Sequence, residues 1–143
     1  MKGIYKILIL SGLVAVLFVL LNPCEVYYWR DFLELYLSIQ RNPNNAWAYY
    51  NRATVRRECG DNQGAIVDFT QVIMINSNKS NAPDRADGYY QRGRLRYRLG
   101  DIQGAIADLQ KAADIYRQKK NTYNYQSTLD EIKQIQQESS PTP

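Results

Sequence analysis

Apolar residues follow two different patterns along this chain of 143 residues. Residues 7–21 form an uncharged and mostly apolar run, whereas beyond residue 30 the apolar residues recur at helical spacing. Ala65, Phe69 and Val72 illustrate the second pattern, because residues at positions i, i+4 and i+7 share one face of a helix. The pattern predicts a long apolar segment followed by a series of amphipathic helices, and the fold class is therefore all-α.

The apolar run is predicted to be a transmembrane anchor occupying residues 1–29. Residues 4–26 would cross the membrane, with Lys6 extending its charged end towards the interface. As a helix, residues 6–26 would be roughly 31 Å long, about the thickness of a bilayer core. Aromatic residues typical of membrane interfaces flank the run: Tyr5 on one side, and Tyr27, Tyr28 and Trp29 on the other.

Flanking residues bear on the cleavage and the orientation of this segment. A signal peptide has a basic start and a small-x-small cleavage site, and residues 21–24 (LNPC) do not provide that site. A cleaved signal, giving a secreted or periplasmic protein, is the alternative to an anchor. Lys2 and Lys6 precede the run and net acidic charge follows it, so the positive-inside rule predicts a cytoplasmic N-terminus. The remaining chain would then lie on the periplasmic, lumenal or extracellular side.

The centre of the chain contains an internal repeat with an offset of 40 residues. Residues 46–75 align with residues 86–115 without gaps, and the identities include the pairs Gly60-Asp61 and Gly100-Asp101. Each copy is predicted to be a helical hairpin, because a glycine suits the left-handed position that ends one helix and an aspartate caps the next. Repeats of this length indicate stacked supersecondary units.

Each copy resembles the tetratricopeptide repeat, a helix-turn-helix unit of 34 residues. The resemblance rests on residues at the signature sites of that repeat: Tyr49 and Tyr89, Ala53 and Gly93, Gly60 and Gly100, Ala65 and Ala105, Phe69 and Leu109, Val72 and Ala112. Arg52 and Arg92 depart from it, since the family has an apolar residue there, and residues 76–84 form an insertion. The resemblance implies a short helical-hairpin solenoid.

Flanking helices are expected to complete this solenoid over residues 30–138. Residues 31–41 would form a preceding half repeat, with an apolar face of Phe32, Leu35, Tyr36 and Ile39. Residues 122–138 would form a capping helix with a polar outer face, as terminal units require. Residues 139–143 are predicted to be a disordered tail. The architecture is thus two full repeats, a half repeat and a cap, preceded by one transmembrane helix.

Two arginines are predicted to be structural. Arg52 recurs with Asp68, and Arg92 recurs with Asp108 at the same spacing. We expect an ion pair between the two helices of each repeat, because partly buried arginine pairs specify packing geometry.

The resemblance also implies a concave groove lined by the first helix of each repeat. Arginine supplies planar donors for carboxylates, and tyrosine and tryptophan supply rigid contact area. A peptide or protein segment, expected to be acidic, would bind there, and the protein would serve as a scaffold or assembly factor for a membrane complex. The predicted partner-binding residues are Trp47, Tyr50, Asn51, Arg57, Tyr90, Gln91, Arg94, Tyr97 and Arg98.

Composition argues against the other classes of function. With no histidine and two cysteines, the chain lacks the usual triads and a four-thiolate zinc site, so no enzyme activity, metal or cofactor is expected. Without Lys2 and Lys6, 16 basic residues oppose 14 acidic ones, which is weak for nucleic acid. A nucleic-acid-associated protein remains the alternative if the solenoid is cytoplasmic, and a homo-oligomer that fills its own groove is a further one.

Overall fold

A computed structural model of the chain describes residues 33–75 and 85–139. In these residues it has six helical segments, and both ends of the last five lie within the described residues. They are α1 (residues 33–41), α2 (Ala46–Glu58), α3 (Asn62–Met74), α4 (Arg85–Arg98), α5 (Ile102–Gln118) and α6 (Thr122–Ser139). Within the described ranges, no helix combines the length and the apolar character needed to span a bilayer. The predicted anchor at residues 1–29 lies outside the described residues, as do residues 76–84 and 140–143.

In each of the two hairpins, the turn residues determine where the first helix ends and the second begins. Gly60 and Gly100 have φ angles of +80° and +83°, in the left-handed region that favours glycine. Asp61 then accepts a hydrogen bond from the Gly64 amide at 2.8 Å, and Asp101 accepts one from the Gly104 amide at 2.9 Å. These caps start α3 and α5 directly after the aspartates.

Consecutive helices stack through the apolar stripes that the sequence predicts. The helices of each hairpin contact one another, and α3 and α5 also contact the hairpin or helix that follows. Ala65, Phe69, Ala105 and Leu109 are each 0% exposed, so the second helix of each repeat lies at the centre of the stack. The described part of the chain is therefore a short solenoid.

Gly93 marks a close approach between α4 and α5. A Cβ atom on Gly93 would lie 3.1 Å from the Ala105 carbonyl oxygen and 3.1 Å from Cγ of Leu109. The first repeat has Ala53 at the equivalent position, where its side chain is fully buried. The crossing of α4 on α5 therefore leaves less room than the crossing of α2 on α3.

The two ends of the stack differ in character. On α6, Ile132 and Ile135 are buried, and Thr128 is buried as well, with its hydroxyl donating to the Asn124 carbonyl at 2.7 Å. On α1, Ile39 is buried, but Tyr36 is 46% exposed. Leu35 is half-buried, and Tyr36 lies close enough to Arg52 of α2 to add to the raised pKa of that arginine, so the predicted apolar face of α1 is only partly covered; Phe32 lies outside the described residues. The last helix also continues to Ser139, one residue beyond the predicted boundary.

Candidate functional site

Each hairpin contains a buried aspartate held by an arginine from the facing helix. Arg52 donates to Asp68 through Nε at 2.8 Å and Nη2 at 2.6 Å. Arg92 donates to Asp108 in the same two-pronged way, at 2.8 Å and 2.7 Å. These hydrogen bonds raise the pKa of each arginine above the ordinary value for an arginine side chain. Such bidentate pairs fix the relative orientation of two helices.

A second arginine joins each of these pairs, and sequence reasoning missed it. Nη1 of Arg56 lies 2.9 Å from Asp68, and Nη1 of Arg96 lies 2.9 Å from Asp108. Arg56 and Arg96 also lie 3.6 Å from the capping residues Asp61 and Asp101. Each hairpin therefore carries a network of two arginines and two aspartates with no net charge. The signal was available, since Arg56 and Arg96 recur at the 40-residue offset, one turn after Arg52 and Arg92.

The networks also connect to their surroundings. The guanidinium of Arg52 lies 5.5 Å from the ring centroid of Tyr49, and that of Arg92 lies 5.5 Å from the ring centroid of Tyr89. Arg92 donates a further hydrogen bond to Thr70 of the preceding repeat at 3.0 Å. These arginines thus hold helices together inside the stack, and their donors are directed at residues of the protein itself.

Predicted groove residues of α2 and α4 form one connected surface. Gln91 accepts a hydrogen bond from Arg57 at 2.9 Å and donates one to the Tyr50 hydroxyl at 3.4 Å. The rings of Trp47 and Tyr50 meet edge to face with centroids 6.3 Å apart. Tyr50 packs in turn on the buried Phe69, with centroids 5.5 Å apart. Burial raises the pKa of Tyr50, and the nearby Asp87 carboxylate adds to this rise.

At the other end of this surface, α6 supplies acidic partners for α4. Nε of Arg94 lies 3.0 Å from Glu131, and its guanidinium lies 5.7 Å from the ring centroid of Tyr90. Tyr97 donates a hydrogen bond to Glu138, which raises the pKa of the phenol and lowers that of the carboxyl group. A cleft of about 480 Å³ separates the two helices. It is lined by Arg94, Tyr97, Arg98, Ser127, Asp130, Glu131, Gln134 and Ile135.

Sequence reasoning treated α6 as a cap and missed its contribution to the groove. The signal was again the 40-residue offset, because Thr128 and Ile135 occupy the places that Gly88 and Leu95 have on α4. All four residues are buried, so the face of α6 that adjoins Thr128 and Ile135 lines the cleft between α4 and α6. Of the remaining predicted residues, Asn51 is half-buried on α2, and Arg98 is exposed near the end of α4.

We define the groove surface as the predicted residues of α2 and α4 together with the α6 residues that line the cleft. It contains aromatic rings, arginines and carboxylates in one continuous area. Its charges are partly matched internally, since Arg94 faces Glu131, whereas Arg98 forms no ion pair with any residue in the described ranges. An arrangement of this kind can bind a polypeptide segment through ring contacts and charged hydrogen bonds.

The stacked hairpins and their shared surface define a small helical-repeat solenoid. Two segments of the chain match family models described as tetratricopeptide repeat, over residues 37–67 and residues 86–123. These matches and the fold support a tetratricopeptide repeat protein, and such repeats generally act as modules that bind other proteins. A comparison with curated proteins finds no match for this chain.

Proposed function

We propose that this protein is a non-enzymatic interaction module whose groove surface binds a segment of another protein. The observation that carries the proposal is the connected set of Trp47, Tyr50, Gln91 and Arg57 across two repeats, continued by the cleft between α4 and α6. Tyrosine, tryptophan and arginine are the residues that most often dominate binding at protein interfaces.

The charges on the groove surface refine the expected partner. Glu131 already neutralises Arg94, so an acidic segment would have to displace a carboxylate there. Arg98 is exposed, and Arg57 is hydrogen-bonded to the neutral side chain of Gln91, with the exposed Glu58 carboxylate 3.9 Å away as a weak counter-charge. We therefore expect acidic side chains of the partner to reach Arg57 and Arg98 in particular, with the aromatic rings contacting apolar parts of the segment.

Exchange of Arg98 for glutamate tests this binding mode. In cross-linking of the full chain in intact membranes, Arg98→Glu is expected to reduce groove-dependent products about tenfold, the equivalent of roughly 1.4 kcal/mol. The physical reason is that a favourable contact with an acidic segment becomes a repulsion. Lys111→Glu makes the same charge change at an exposed position of α5 and should leave the products unchanged. An identical set of products from all three proteins would contradict binding through the groove.

We also propose that residues 4–26 anchor the module in a membrane, with the N-terminus in the cytoplasm and the solenoid on the opposite side. Anchoring would raise the effective concentration of the groove for membrane-bound partners, which supports a role as a scaffold or assembly factor. The proposal is supported by the apolar run, its aromatic flanks and the preceding Lys2 and Lys6.

A topology reporter tests the orientation. An enzyme that is active only outside the cytoplasm, fused after Pro143, is expected to be active, whereas a fused reporter that requires the cytoplasm should be inactive. The opposite result would place the solenoid in the cytoplasm and favour the nucleic-acid alternative. Release of the active reporter into the soluble extracytoplasmic fraction would instead indicate a cleaved signal peptide.

A further inference from the structure

The first described helix has an apolar face that no other described helix covers. Leu33, Tyr36 and Leu37 are 45%, 46% and 40% exposed. At helical spacing Leu33 and Leu37 share one side of α1, and Tyr36 lies between that side and the buried Ile39, close enough to Arg52 of α2 to add to the raised pKa of that arginine. The apolar residues of α1 thus extend over more than half of its circumference, and a helix that is apolar over most of its surface is usually buried. We call these three exposed residues the α1 face.

The last helix, α6, shows what a water-exposed terminal helix looks like in this chain. On α6, the side opposite the buried Thr128, Ile132 and Ile135 is exposed and mostly polar, with Tyr123 beside Gln126, Asp130, Lys133 and Gln137. A polar outer face of this kind ends a solenoid in water. The α1 face is apolar instead, so it lacks the composition expected of a terminal face that is exposed to water.

The position of α1 along the chain indicates what covers it. Leu33 follows Trp29, the last aromatic residue of the proposed anchor, by four residues. Four residues extend at most about 14 Å, and a helix of this length about 6 Å. If the anchor spans the membrane, α1 lies within reach of the same bilayer interface. Leucine buried at the acyl boundary with tyrosine at headgroup level is the usual composition of an interfacial helix face.

We infer that the α1 face rests in the interfacial layer of the membrane that holds the anchor. This inference depends on the proposed anchor and adds to it an orientation of the solenoid. With α1 on the bilayer, the stack extends away from the surface in the order α2 to α6. The groove surface, which starts on α2, then begins next to the membrane, which suits partners that are themselves membrane proteins with segments outside the bilayer.

A second copy of the chain is the main competing occupant. A two-fold contact through the α1 face would involve three side chains from each copy. Stable interfaces bury roughly 1,200–2,000 Å², and three side chains on each side fall well short of that area. The lipid interface needs no such area, because the anchor already keeps α1 beside it.

A site-specific photo-cross-linker tests the inference on the full chain. p-Benzoyl-phenylalanine is placed at Tyr36 or, as the matched control, at Tyr123, which is 83% exposed on α6. Both proteins are reconstituted into phosphatidylcholine–phosphatidylglycerol vesicles and irradiated. The Tyr36 position is expected to form on the order of ten times more lipid adduct than the Tyr123 position, because the α1 face is held at the interface.

The outcomes separate this inference from the anchor itself. Carbonate extraction of the same vesicles reports whether the chain is integrated in the bilayer. Integration with equal lipid adducts at both positions overturns the inference and leaves the anchor intact. Integration with protein–protein adducts at Tyr36 also overturns it, and identifies a second copy as the occupant. Complete extraction by carbonate overturns both the anchor and the inference.

Discussion

Asp68→Asn is expected to lower the free energy of unfolding by about 3 kcal/mol, because it leaves partly buried arginines without their counter-charge. Asp68 is 0% exposed and accepts hydrogen bonds from both Arg52 and Arg56. Asparagine has nearly the same shape but no charge, and its amide group places two donors against the guanidinium donors. The effect is large because Asp68 is fully buried between α2 and α3 and the side chain of Arg52 is only 13% exposed, so water has little access to the place of the lost carboxylate.

Urea unfolding of the full chain in a mild detergent, followed by far-ultraviolet circular dichroism, measures this loss. Asp114→Asn is the matched control, since Asp114 is 55% exposed and pairs with Arg117 at the surface. Exposed pairs of this kind contribute about 0–1 kcal/mol. Asp108→Asn should resemble Asp68→Asn, because Arg92 and Arg96 surround Asp108 in the same geometry. Equal stability of the Asp68→Asn and Asp114→Asn variants would show that the buried networks contribute no more than a surface pair.

Phe69→Ala is expected to cost about 3–5 kcal/mol, the usual range for truncating a fully buried phenylalanine. Phe69 lies in a buried cluster with Ala53 and Ala65 of the first repeat and Leu95 of the second. The change removes apolar contacts and leaves a cavity in a stack that has few other layers. It also removes the ring on which Tyr50 packs, so the groove surface is expected to lose order at Tyr50 even where the fold survives.

Phe69→Leu is the matched control for this prediction. Leu109 occupies the equivalent position 40 residues further on and is also 0% exposed. A leucine therefore fits this place in a repeat, and we expect a loss below about 1.5 kcal/mol. Urea unfolding measures both losses, and the binding of groove-dependent partners reports on Tyr50. If both variants lose the same stability, the ring of Phe69 has no particular role in the core.

Much of the fold followed from local rules. The hairpins were predictable because Gly60 and Gly100 suit the left-handed turn and because the aspartates that follow them cap α3 and α5. The buried stripe from Ala65 to Ile73 was predictable because helical spacing places those residues on one face. Because Arg52 and Asp68 recur as Arg92 and Asp108 at the 40-residue offset, the sequence also predicted these two ion pairs.

The candidate groove was predictable only in part. The resemblance indicated which side chains of α2 and α4 face it, but it did not show that Arg57 and Tyr50 would meet at Gln91. It also did not show that Glu131 of the last helix would neutralise Arg94. These contacts join residues more than 30 positions apart. They depend on how far each hairpin is displaced from the next, which no local pattern in the sequence encodes.

By itself, the sequence determined the helices, their caps, the repeat and the buried faces, because each of these depends on residues within a few turns of one another. The tertiary structure decided which charged side chains remain available to a binding partner. Stacking placed Arg56 and Arg96 on the buried aspartates, brought α6 carboxylates to α4, and left Leu33, Tyr36 and Leu37 partly exposed. The physical reason is that an ionic contact depends on a separation of a few ångströms between distant helices. That separation is set by the packing of side chains such as Ala53 and by the space that Gly93 leaves open.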